Sequence, residues 1–529
     1  MITWFKNRRM RPGRVWRRPL AGVVVGLAGL ALAPAAYANG WSLQSVQTES
    51  SWVSSQLSGV SCVPATTDNC YAVGYSETSG SGITALIEHW NGTTWSVYSS
   101  GGPAGASDST LNSVSCPTPT FCLAVGEYHV GGVGIPLAYS FGSSTGFVQQ
   151  TVPLAGGASG YLSSVSCQSA SLCEAAGTSG PISATSALVE GWNGSSFSQQ
   201  QTGSSTGATV LSAVSCALAG SAFCMAVGSE NLGGFVIVPY AESFNGSNWV
   251  TQTQASNDQF RVQPAGTNAV NLDGVHCIAS TSCQVIGSYY GGSGDSVANP
   301  WGAALSGSSW TFELLPPSNA DAGFAPGDAL ACPSECWAVG NYSTSTGLAL
   351  FADTTNGSQW LFSSLPNPSG TEPTLFSVAC GLIDYCKAVG GYKNSAGNFV
   401  AFAEQYVYTT TTKTGPKCTD FDCPPPNPAT PRHFSLKASS LEKHGATITA
   451  ELRKPKTLVL LVQGARHDQP VIVGLVPLGS HSAGSSKIHW NLRVNGQRLG
   501  KGTYEVSLHS VIGSILSPAT PPKETSGWL

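Results

Sequence analysis

Short apolar runs separated by turns rich in Gly, Ser and Asn recur throughout residues 41–408. The runs are rich in Val, Ala and Leu and are short, a pattern typical of β-strands rather than helices. One unit opens with LNSVSC, makes a small turn, continues as CLAVG, and reaches a third apolar run after a variable loop. Asn-Gly favours a type I′ hairpin because both central residues take positive φ, so each unit is predicted to be four strands joined by hairpins. The third run meets Asn-Gly at Asn91, Asn193, Asn245 and Asn356, followed by the aromatic residues Trp95, Phe197, Trp249 and Trp360.

The unit occurs seven times, and its first cysteines lie 48 to 61 residues apart. This period is in the range of propeller blades. Four-stranded antiparallel units with almost no helical pattern between them predict an all-β fold, a seven-bladed β-propeller. The seventh unit lacks the Asn-Gly-aromatic segment, whereas residues 41–48, WSLQSVQT, match the fourth strands of other units. The sequence therefore predicts that an N-terminal strand completes the last blade and closes the ring.

Residues 1–38 are predicted to be a secretory signal peptide. Seven Lys or Arg precede an apolar run that ends at Ala36-Tyr37-Ala38, which is the pattern of a cleaved leader. An uncleaved membrane anchor is the alternative, because the run is almost long enough to span a bilayer. Arg17-Arg18 hints at twin-arginine export, although the flanking residues favour the general route. The mature protein is predicted to be secreted or exposed on the cell surface, without a membrane span.

The sixteen cysteines form eight close pairs along the chain. In an exported protein an even number at regular spacing indicates disulfides, whereas a zinc site needs four ligands that converge on one point. No metal and no cofactor is therefore predicted. Within a unit the two cysteines flank the turn between the first two strands, where cross-strand Cβ atoms lie about 4.5–5.5 Å apart. The predicted disulfides are Cys62–Cys70, Cys116–Cys122, Cys167–Cys173, Cys216–Cys224, Cys277–Cys283, Cys332–Cys336, Cys380–Cys386 and Cys418–Cys423.

The repeat S-V-S-C-x5-C-x-A-V-G with W-N-G-x-x-W resembles that of secreted bacterial proteins grouped with kelch-like or galactose-oxidase-like seven-bladed propellers. The resemblance covers residues 41–408. It implies the propeller fold but no oxidase activity. The kelch double-glycine signature is absent from its usual place, and no Tyr, Cys and His cluster matches a copper site.

The composition changes after Tyr408. Residues 409–432 are rich in Thr and Pro and are predicted to be a stiff linker that carries the Cys418–Cys423 loop. Residues 433–512 alternate apolar and polar positions again and predict a small β-sandwich, and residues 513–529 are predicted to be a disordered tail. The end of the sandwich resembles the closing hairpin of the immunoglobulin-like domain of bacterial flagellar hook-capping proteins. The matching residues are Trp490, Asn495-Gly496, Leu499, Gly502 and Tyr504.

Charge divides the mature chain into an acidic and a basic part. Residues 39–431 contain 5 Lys or Arg and 23 Asp or Glu, whereas residues 432–529 contain 12 and 5. The basic part could hold anionic envelope polymers while the propeller faces outward. The alternatives are attraction between the two parts and a solvated surface without a partner.

No known catalytic motif is present: the chain has no nucleophile elbow, zinc-protease, phosphate-loop or calcium-loop pattern. Acids do recur at one position of the third strand, which suggests a structural role such as bonding the adjacent hairpin. A glycosidase would instead need two carboxylates about 5 to 10 Å apart. No catalytic residue is predicted. The recurring acids are Glu88, Glu190, Glu242 and Glu404, with Asp353 close to the same position. The titratable residues that break the repeat are His129, Asp258, Arg261 and His276.

The repeated tryptophans are predicted to pack between blades, and the Asn of each N-G-[ST] is interpreted first as a turn residue. The tryptophans are Trp95, Trp249, Trp310 and Trp360. The sequence thus favours a monomeric, non-enzymatic binding protein whose partner is a glycan, a cell-wall polymer or a protein, and not a nucleic acid. A polysaccharide hydrolase or lyase and a purely structural envelope protein are the alternatives. The predicted ligand-binding loops are 101–110, 127–135, 254–271 and 288–300.

Overall fold

A computed structural model shows an all-β protein. Its described residues are 40–64, 66–142, 146–154, 159–181, 184–217, 222–233, 236–252, 269–290, 298–307, 309–316, 322–324, 329–332, 336–355, 360–382, 385–407, 433–437, 446–452, 456–466, 469–482, 484–490, 493–494, 497–498, 504–512 and 515–516. These residues contain no α-helix.

No helix in the described part of the chain is long and apolar enough to cross a membrane.

Seven four-stranded antiparallel blades make up the propeller, and strand β1 (Gly40–Gln44) precedes the first of them in sequence. Blade 1 contains β2 (Trp52–Cys62), β3 (Cys70–Thr78), β4 (Gly82–Trp90) and β5 (Trp95–Ser100). Blade 2 contains β6 (Asp108–Thr118), β7 (Phe121–Val130), β8 (Val133–Gly142) and β9 (Gly146–Gln150). Blade 3 contains β10 (Gly160–Ser169), β11 (Leu172–Ser179), β12 (Ser186–Trp192) and β13 (Phe197–Gln200). Blade 4 contains β14 (Ala208–Cys216), β15 (Cys224–Asn231), β16 (Ile237–Phe244) and β17 (Trp249–Thr251).

The remaining blades follow the same order, with two variations. Blade 5 contains β18 (Ala269–Ala279), β19 (Ser282–Tyr290), β20 (Ala298–Ser306) and β21 (Ser309–Leu314). In blade 6 the first strand is split into two short segments that both pair with the second. Blade 6 contains β22 (Ala322–Gly323), β23 (Leu330–Ala331), β24 (Cys336–Thr344), β25 (Gly347–Thr355) and β26 (Trp360–Ser364). Blade 7 contains β27 (Thr371–Leu382), β28 (Tyr385–Lys393), β29 (Phe399–Val407) and, as its fourth strand, β1.

The ring is closed by the N-terminal strand, as predicted. Strand β1 pairs antiparallel with β29, from Gly40 opposite Val407 to Gln44 opposite Ala403. The first strands of successive blades contact one another around the whole ring, and β27 of blade 7 contacts β2 of blade 1. Blade 7 therefore has four strands like the other blades, although one of them comes from the N-terminal side of the propeller.

The repeated sequence signature has a geometric cause. In most blades the first strand has a β-bulge after its Leu, as between Leu111 and Ser113, opposite the Gly of C-x-A-V-G. A Cβ on Gly126 would lie 2.1 Å from the carbonyl oxygen of Thr110, and the equivalent glycines are equally crowded. Only glycine allows the two backbones to approach this closely.

The serines of S-V-S-C, where a blade has them, join that blade to a neighbouring one. The hydroxyl of Ser115 accepts a hydrogen bond of 3.0 Å from the backbone N–H of Cys167, and that of Ser113 accepts one of 3.1 Å from Val165. Where the ring closes, Ser377 of blade 7 accepts a 3.1 Å bond from the N–H of Val60 in blade 1. The serines thus satisfy backbone donors that would otherwise be unpaired in the interior.

Replacing Ser377 by Ala should destabilise the propeller by about 1–3 kcal/mol, because the buried N–H of Val60 would lose its acceptor. Urea unfolding would measure the change. Ser99→Ala, at an exposed position on β5, is the matched control and should leave the midpoint unchanged. Equal midpoints for the two variants would contradict this role of the serine.

Seven disulfides tie the first two strands of the blades together. They are Cys62–Cys70, Cys116–Cys122, Cys167–Cys173, Cys216–Cys224, Cys277–Cys283, Cys332–Cys336 and Cys380–Cys386. The described residues contain no free cysteine. Cys418 and Cys423, together with the predicted signal and linker, lie outside the described residues. Of the predicted tail, only Ile515 and Leu516 are described, and they form a short strand.

The strands after residue 432 form a small β-sandwich from antiparallel sheets. These strands are β30 (His433–Lys437), β31 (Ala446–Leu452), β32 (Lys456–Arg466), β33 (Gln469–His481), β34 (Gly484–Trp490), β35 (Arg493–Val494), β36 (Gln497–Arg498), β37 (Tyr504–Ile512) and β38 (Ile515–Leu516). One sheet has the order β30-β31-β34, the other β33-β32-β37-β38, and β35 pairs with β36. The immunoglobulin-like resemblance and the domain limits remain predictions.

Candidate functional site

Two of the predicted ligand-binding loops meet at one end of blade 2. Strand β6 starts at Asp108 and β7 ends at Val130, so both loops lie at the end opposite the disulfide. Nδ1 of His129 lies 2.6 Å from Oδ1 of Asp108, and its Nε2 lies 4.0 Å from Oε2 of Glu127. Burial raises the pKa of Glu127, and His129 opposes this rise. The sequence named His129 but not its two acidic partners.

The other titratable residues that break the repeat do not join this cluster. His276 on β18 is partly exposed, and burial lowers its pKa to about 4. Asp258 and Arg261 lie outside the described residues, as do most of loops 254–271 and 288–300. The described residues contain no group of three His, Cys, Asp or Glu side chains that could hold a metal ion.

The repeated acids are in the interior, one to a blade, and are not arranged in pairs. Glu88, Glu190, Glu242, Asp353 and Glu404 all have no exposed surface. The suggested bond to the adjacent hairpin is wrong for four of them, since neither carboxyl oxygen has a partner among the described residues. Only Glu242 is bonded, to the N–H of Gly203 at 3.0 Å and to the hydroxyl of Tyr240 at 2.5 Å.

The repeated tryptophans pack at the seams between blades, as expected. Trp95, Trp249 and Trp360 are at least nine-tenths buried. The indole N–H of Trp249 donates to Oε1 of Gln200 in the preceding blade, and that of Trp360 donates to Oε2 of Glu313. The variable residue of C-x-A-V-G faces the same seams: Lys387 of blade 7, for example, lies over Trp90 of blade 1. These rings are therefore structural.

One seam, between blades 6 and 7, opens into an aromatic groove of about 640 Å³. Its aromatic wall contains Trp41 from β1 and Tyr406 from β29, which are partly exposed. Behind them lies Trp337 from β24, which is only 8% exposed. The ring centroid of Trp337 lies 5.5 Å from that of Trp41 and 4.5 Å from that of Tyr406. Trp41 has a buried indole N–H without an acceptor among the described residues, so this ring is held by packing rather than by a hydrogen bond. The full lining is Gly40, Trp41, Trp337, Thr354, Ser363, Ser364, Leu365, Pro366 and Tyr406.

The groove offers aromatic surface and hydroxyl groups, and none of the described residues that line it is charged. Ser363 and Ser364 are exposed on the outer strand β26, opposite the aromatic side contributed by β1 and β29. Such a site can pack an apolar ring face and exchange hydrogen bonds with hydroxyl groups, but it cannot neutralise a charge. Its volume is in the range of small-ligand pockets, about 300–1,000 Å³.

The sequence missed this groove. Trp41 was assigned only to ring closure, and Trp337 is one of several residue types at the variable position of C-x-A-V-G. The available signal was the coincidence of three large rings at the one seam where the outer hairpin is interrupted. In blades 1, 3 and 4 an Asn-Gly turn joins the third strand to the fourth. In blade 7 these two strands come from opposite ends of the domain.

A second groove, of about 650 Å³, lies between blades 3 and 4. It is lined by the segments 201–204 and 248–252. Its aromatic ring, that of Trp249, is only 5% exposed. This groove therefore offers polar backbone and side chains without an aromatic wall, and it is the weaker candidate.

Comparison with known proteins identifies no family for this chain. No family model matches the chain, and no curated protein matches it. Similar solved structures include YCF48 bound to a D1 peptide, with 15% identity over 71% of this chain and 97% of that chain and a TM-score of 0.42. The polysaccharide lyase Uly1 has 8% identity over 71% and 94%, with a TM-score of 0.41. Chaetomium thermophilum Sqt1, bound to the N-terminus of ribosomal protein L10, has 12% identity over 68% and 100%, with a TM-score of 0.36. Likeness at this level does not indicate a ligand or an activity.

Proposed function

We propose that this protein is a secreted, non-enzymatic binding protein whose propeller holds a neutral carbohydrate in the groove between blades 6 and 7. The observation that supports this most directly is an aromatic wall with two partly exposed rings, Trp41 and Tyr406, in a groove that exposed serines also line. The apolar face of a sugar ring packs on such a wall, and its hydroxyls bond to groups like those of Thr354, Ser363 and Ser364.

The absence of charge in the groove lining favours a neutral sugar over the other predicted ligands. An anionic wall polymer needs Lys or Arg for charge-assisted bonds, and the described part of the groove lining has neither. Such a polymer suits the region 432–529 instead, with its 12 Lys or Arg against 5 acids. We therefore assign sugar recognition to the propeller and envelope attachment to the basic C-terminal region.

Secretion is part of the same proposal. Seven disulfides persist in an oxidising compartment and not in a reducing cytosol, and they fit the leader pattern of residues 1–38.

The blade 2 cluster of Asp108, Glu127 and His129 lies in a different blade from the groove. Among the titratable residues that break the repeat and are described, only His129 lies beside acids. The alternative function, a polysaccharide hydrolase or lyase, would therefore depend on this cluster.

Filling the groove should abolish sugar binding. The experiment compares Ser364→Trp with Ser99→Trp on an array of neutral and acidic glycans, using the full mature chain. Both serines are exposed and lie four residues after the aromatic that opens the fourth strand, Ser364 in blade 6 and Ser99 in blade 1. We expect at least a tenfold loss of affinity for neutral glycans in Ser364→Trp only, with melting temperatures unchanged.

Unchanged binding by Ser364→Trp would exclude the groove, and equal loss in both variants would show a non-specific effect. Binding that disappears on truncation after Tyr408 would move the site to the C-terminal region. Binding restricted to acidic glycans would contradict the neutral ligand.

A further inference from the structure

The five repeated acids occupy one environment in five different blades. Each pairs across the ladder with the Ala of C-x-A-V-G on the second strand, as Glu88 with Ala72 and Asp353 with Ala338. The alanine side chain has no polar atom, so a partner must come from elsewhere, such as the neighbouring blade or, for Glu242, Tyr240 of the same strand. All five carboxyl groups are fully buried.

Blade 4 shows what a partnered acid looks like. Oε2 of Glu242 accepts a 3.0 Å bond from the N–H of Gly203, six residues after the aromatic that opens the fourth strand of blade 3. For Glu190, Asp353 and Glu404 the equivalent residue of the preceding blade is a proline, which has no N–H. These prolines are Pro153, Pro316 and Pro366.

The missing donor has the expected consequence. Neither oxygen of Glu190, Asp353 or Glu404 has a hydrogen-bond partner among the described residues. Glu88 is intermediate: the equivalent residue is Gln47, whose backbone amide lowers the pKa of Glu88 without reaching hydrogen-bond geometry. A buried, unpartnered carboxylate anion is strongly disfavoured, whereas the neutral acid is tolerated.

We propose that the propeller folds with these carboxyl groups as neutral acids, so that it is adapted to acidic surroundings and loses stability as the pH rises. Burial acts in the same direction in every case. It raises the pKa of Glu88, Glu190 and Glu404 to about 8 and that of Asp353 to about 9. Within the described residues the single charged group that acts on one of these four is Glu174, which further raises the pKa of Glu190.

The direction of the pH effect follows from proton linkage. An unfolded carboxyl ionises near its ordinary pKa of about 4.5, whereas the folded one holds its proton to about pH 8 or above. Between these values unfolding releases protons, so stability is highest in acid and falls as the pH rises. Each neutral acid increases the unfolding constant up to about tenfold per pH unit across this window.

Two bases oppose this trend. Burial lowers the pKa of His276 to about 4 and that of Lys387 to about 6, so each favours folding as the pH rises, His276 up to about 6.5 and Lys387 up to about 10.5. The ring of Trp90, 3.3 Å from Nζ of Lys387, attracts the protonated amine and reduces its opposing effect. The two bases act mainly in successive pH ranges. At any pH they therefore take up about one proton on unfolding, which is fewer than the acids release.

Urea unfolding of the full mature chain between pH 4.5 and 8.5, followed by near-ultraviolet circular dichroism, tests the proposal. We expect the midpoint to fall as the pH rises. The triple variant Glu190→Gln/Asp353→Asn/Glu404→Gln should show a weaker pH dependence, because amides do not titrate. Its unfolding constant should rise less steeply than the wild-type one, by up to about three powers of ten per pH unit. Glu49→Gln, at an exposed acid, is the control and should keep the wild-type slope.

A wild-type midpoint that is constant or rises with pH would overturn the proposal, as would an unchanged slope in the triple variant. If the triple variant fails to fold, infrared spectroscopy of the wild-type protein decides. Protonated carboxyl absorption should be present at pH 7 in the folded state and absent after unfolding, and its absence from the folded state would refute the neutral acids. Neither result depends on sugar binding.

Discussion

Deletion of residues 40–48 should abolish the cooperative unfolding of the propeller. The deletion removes β1, exposes the edge of β29 along its whole pairing with β1, and takes away Trp41, which packs on Trp337 and Tyr406. Truncation of a fully buried aromatic costs about 3–5 kcal/mol; the partly buried Trp41 contributes somewhat less, and the lost strand pairing adds to it. The sum is comparable to the entire stability of a typical domain, about 5–15 kcal/mol. Thermal melting followed by circular dichroism would measure the loss.

Two controls separate ring closure from general damage to the N-terminus. Leu43→Ser changes a residue of β1 that is 41% exposed and should leave the melting curve nearly unchanged. A synthetic peptide with the sequence of residues 39–48 should restore a cooperative transition to the truncated protein, because it can supply the missing strand. A truncated protein that melts like the full mature chain would disprove closure by β1.

Reduction of the disulfides should have the second largest effect. The bridges close short loops, with sequence separations of 4 to 8 residues, and chain entropy assigns roughly 2–3 kcal/mol to each. The contributions are not additive, but seven such losses exceed what the modest apolar core of a Ser- and Gly-rich propeller can offset. We expect the reduced protein to lose its cooperative transition at temperatures where the oxidised protein stays folded.

Single bridges should show smaller, measurable losses. Cys167→Ala/Cys173→Ala should lower the free energy of unfolding by about 2–3 kcal/mol. Thiol titration of the oxidised protein under denaturant should find no free thiol, which includes the predicted Cys418–Cys423 pair. Several reactive thiols, or a melting curve insensitive to reductant, would contradict a stabilising role for the bridges.

The sequence predicts the propeller well because its local signals repeat. The β-bulge, the crowded glycine and the cysteine pair recur from blade to blade. In blade 2, for example, position 126 must be a glycine because a Cβ would clash with the carbonyl oxygen of Thr110. Ring closure was predictable for a similar reason, since Trp41 matches the aromatic that opens other fourth strands. Local chemistry repeated at a fixed spacing is what single-sequence reasoning detects best.

Contacts that do not repeat from blade to blade were much harder to predict. Asp108 and His129 are 21 residues apart, and neither is repeated at the equivalent position of other blades. The repeat pattern therefore gives no reason to connect them. The aromatic groove depends on which side chain occupies a variable position, Trp337, and on two chain segments from opposite ends of the domain. The buried acids were recognised as structural, but the loss of their donors is visible only when Pro153, Pro316 and Pro366 are aligned with Gly203.

The pairing of Gly40 with Val407 makes the propeller suitable for circular permutation. The two residues are opposite each other at the end of a ladder, where other blades have a tight turn. A short link such as Asn-Gly could join them and turn the interrupted blade into an ordinary one. New termini could then be opened at the turn after Asn91 or after Asn193. Each permutant would have a different blade completed by strands from both chain ends, while every strand pairing of the ring is kept.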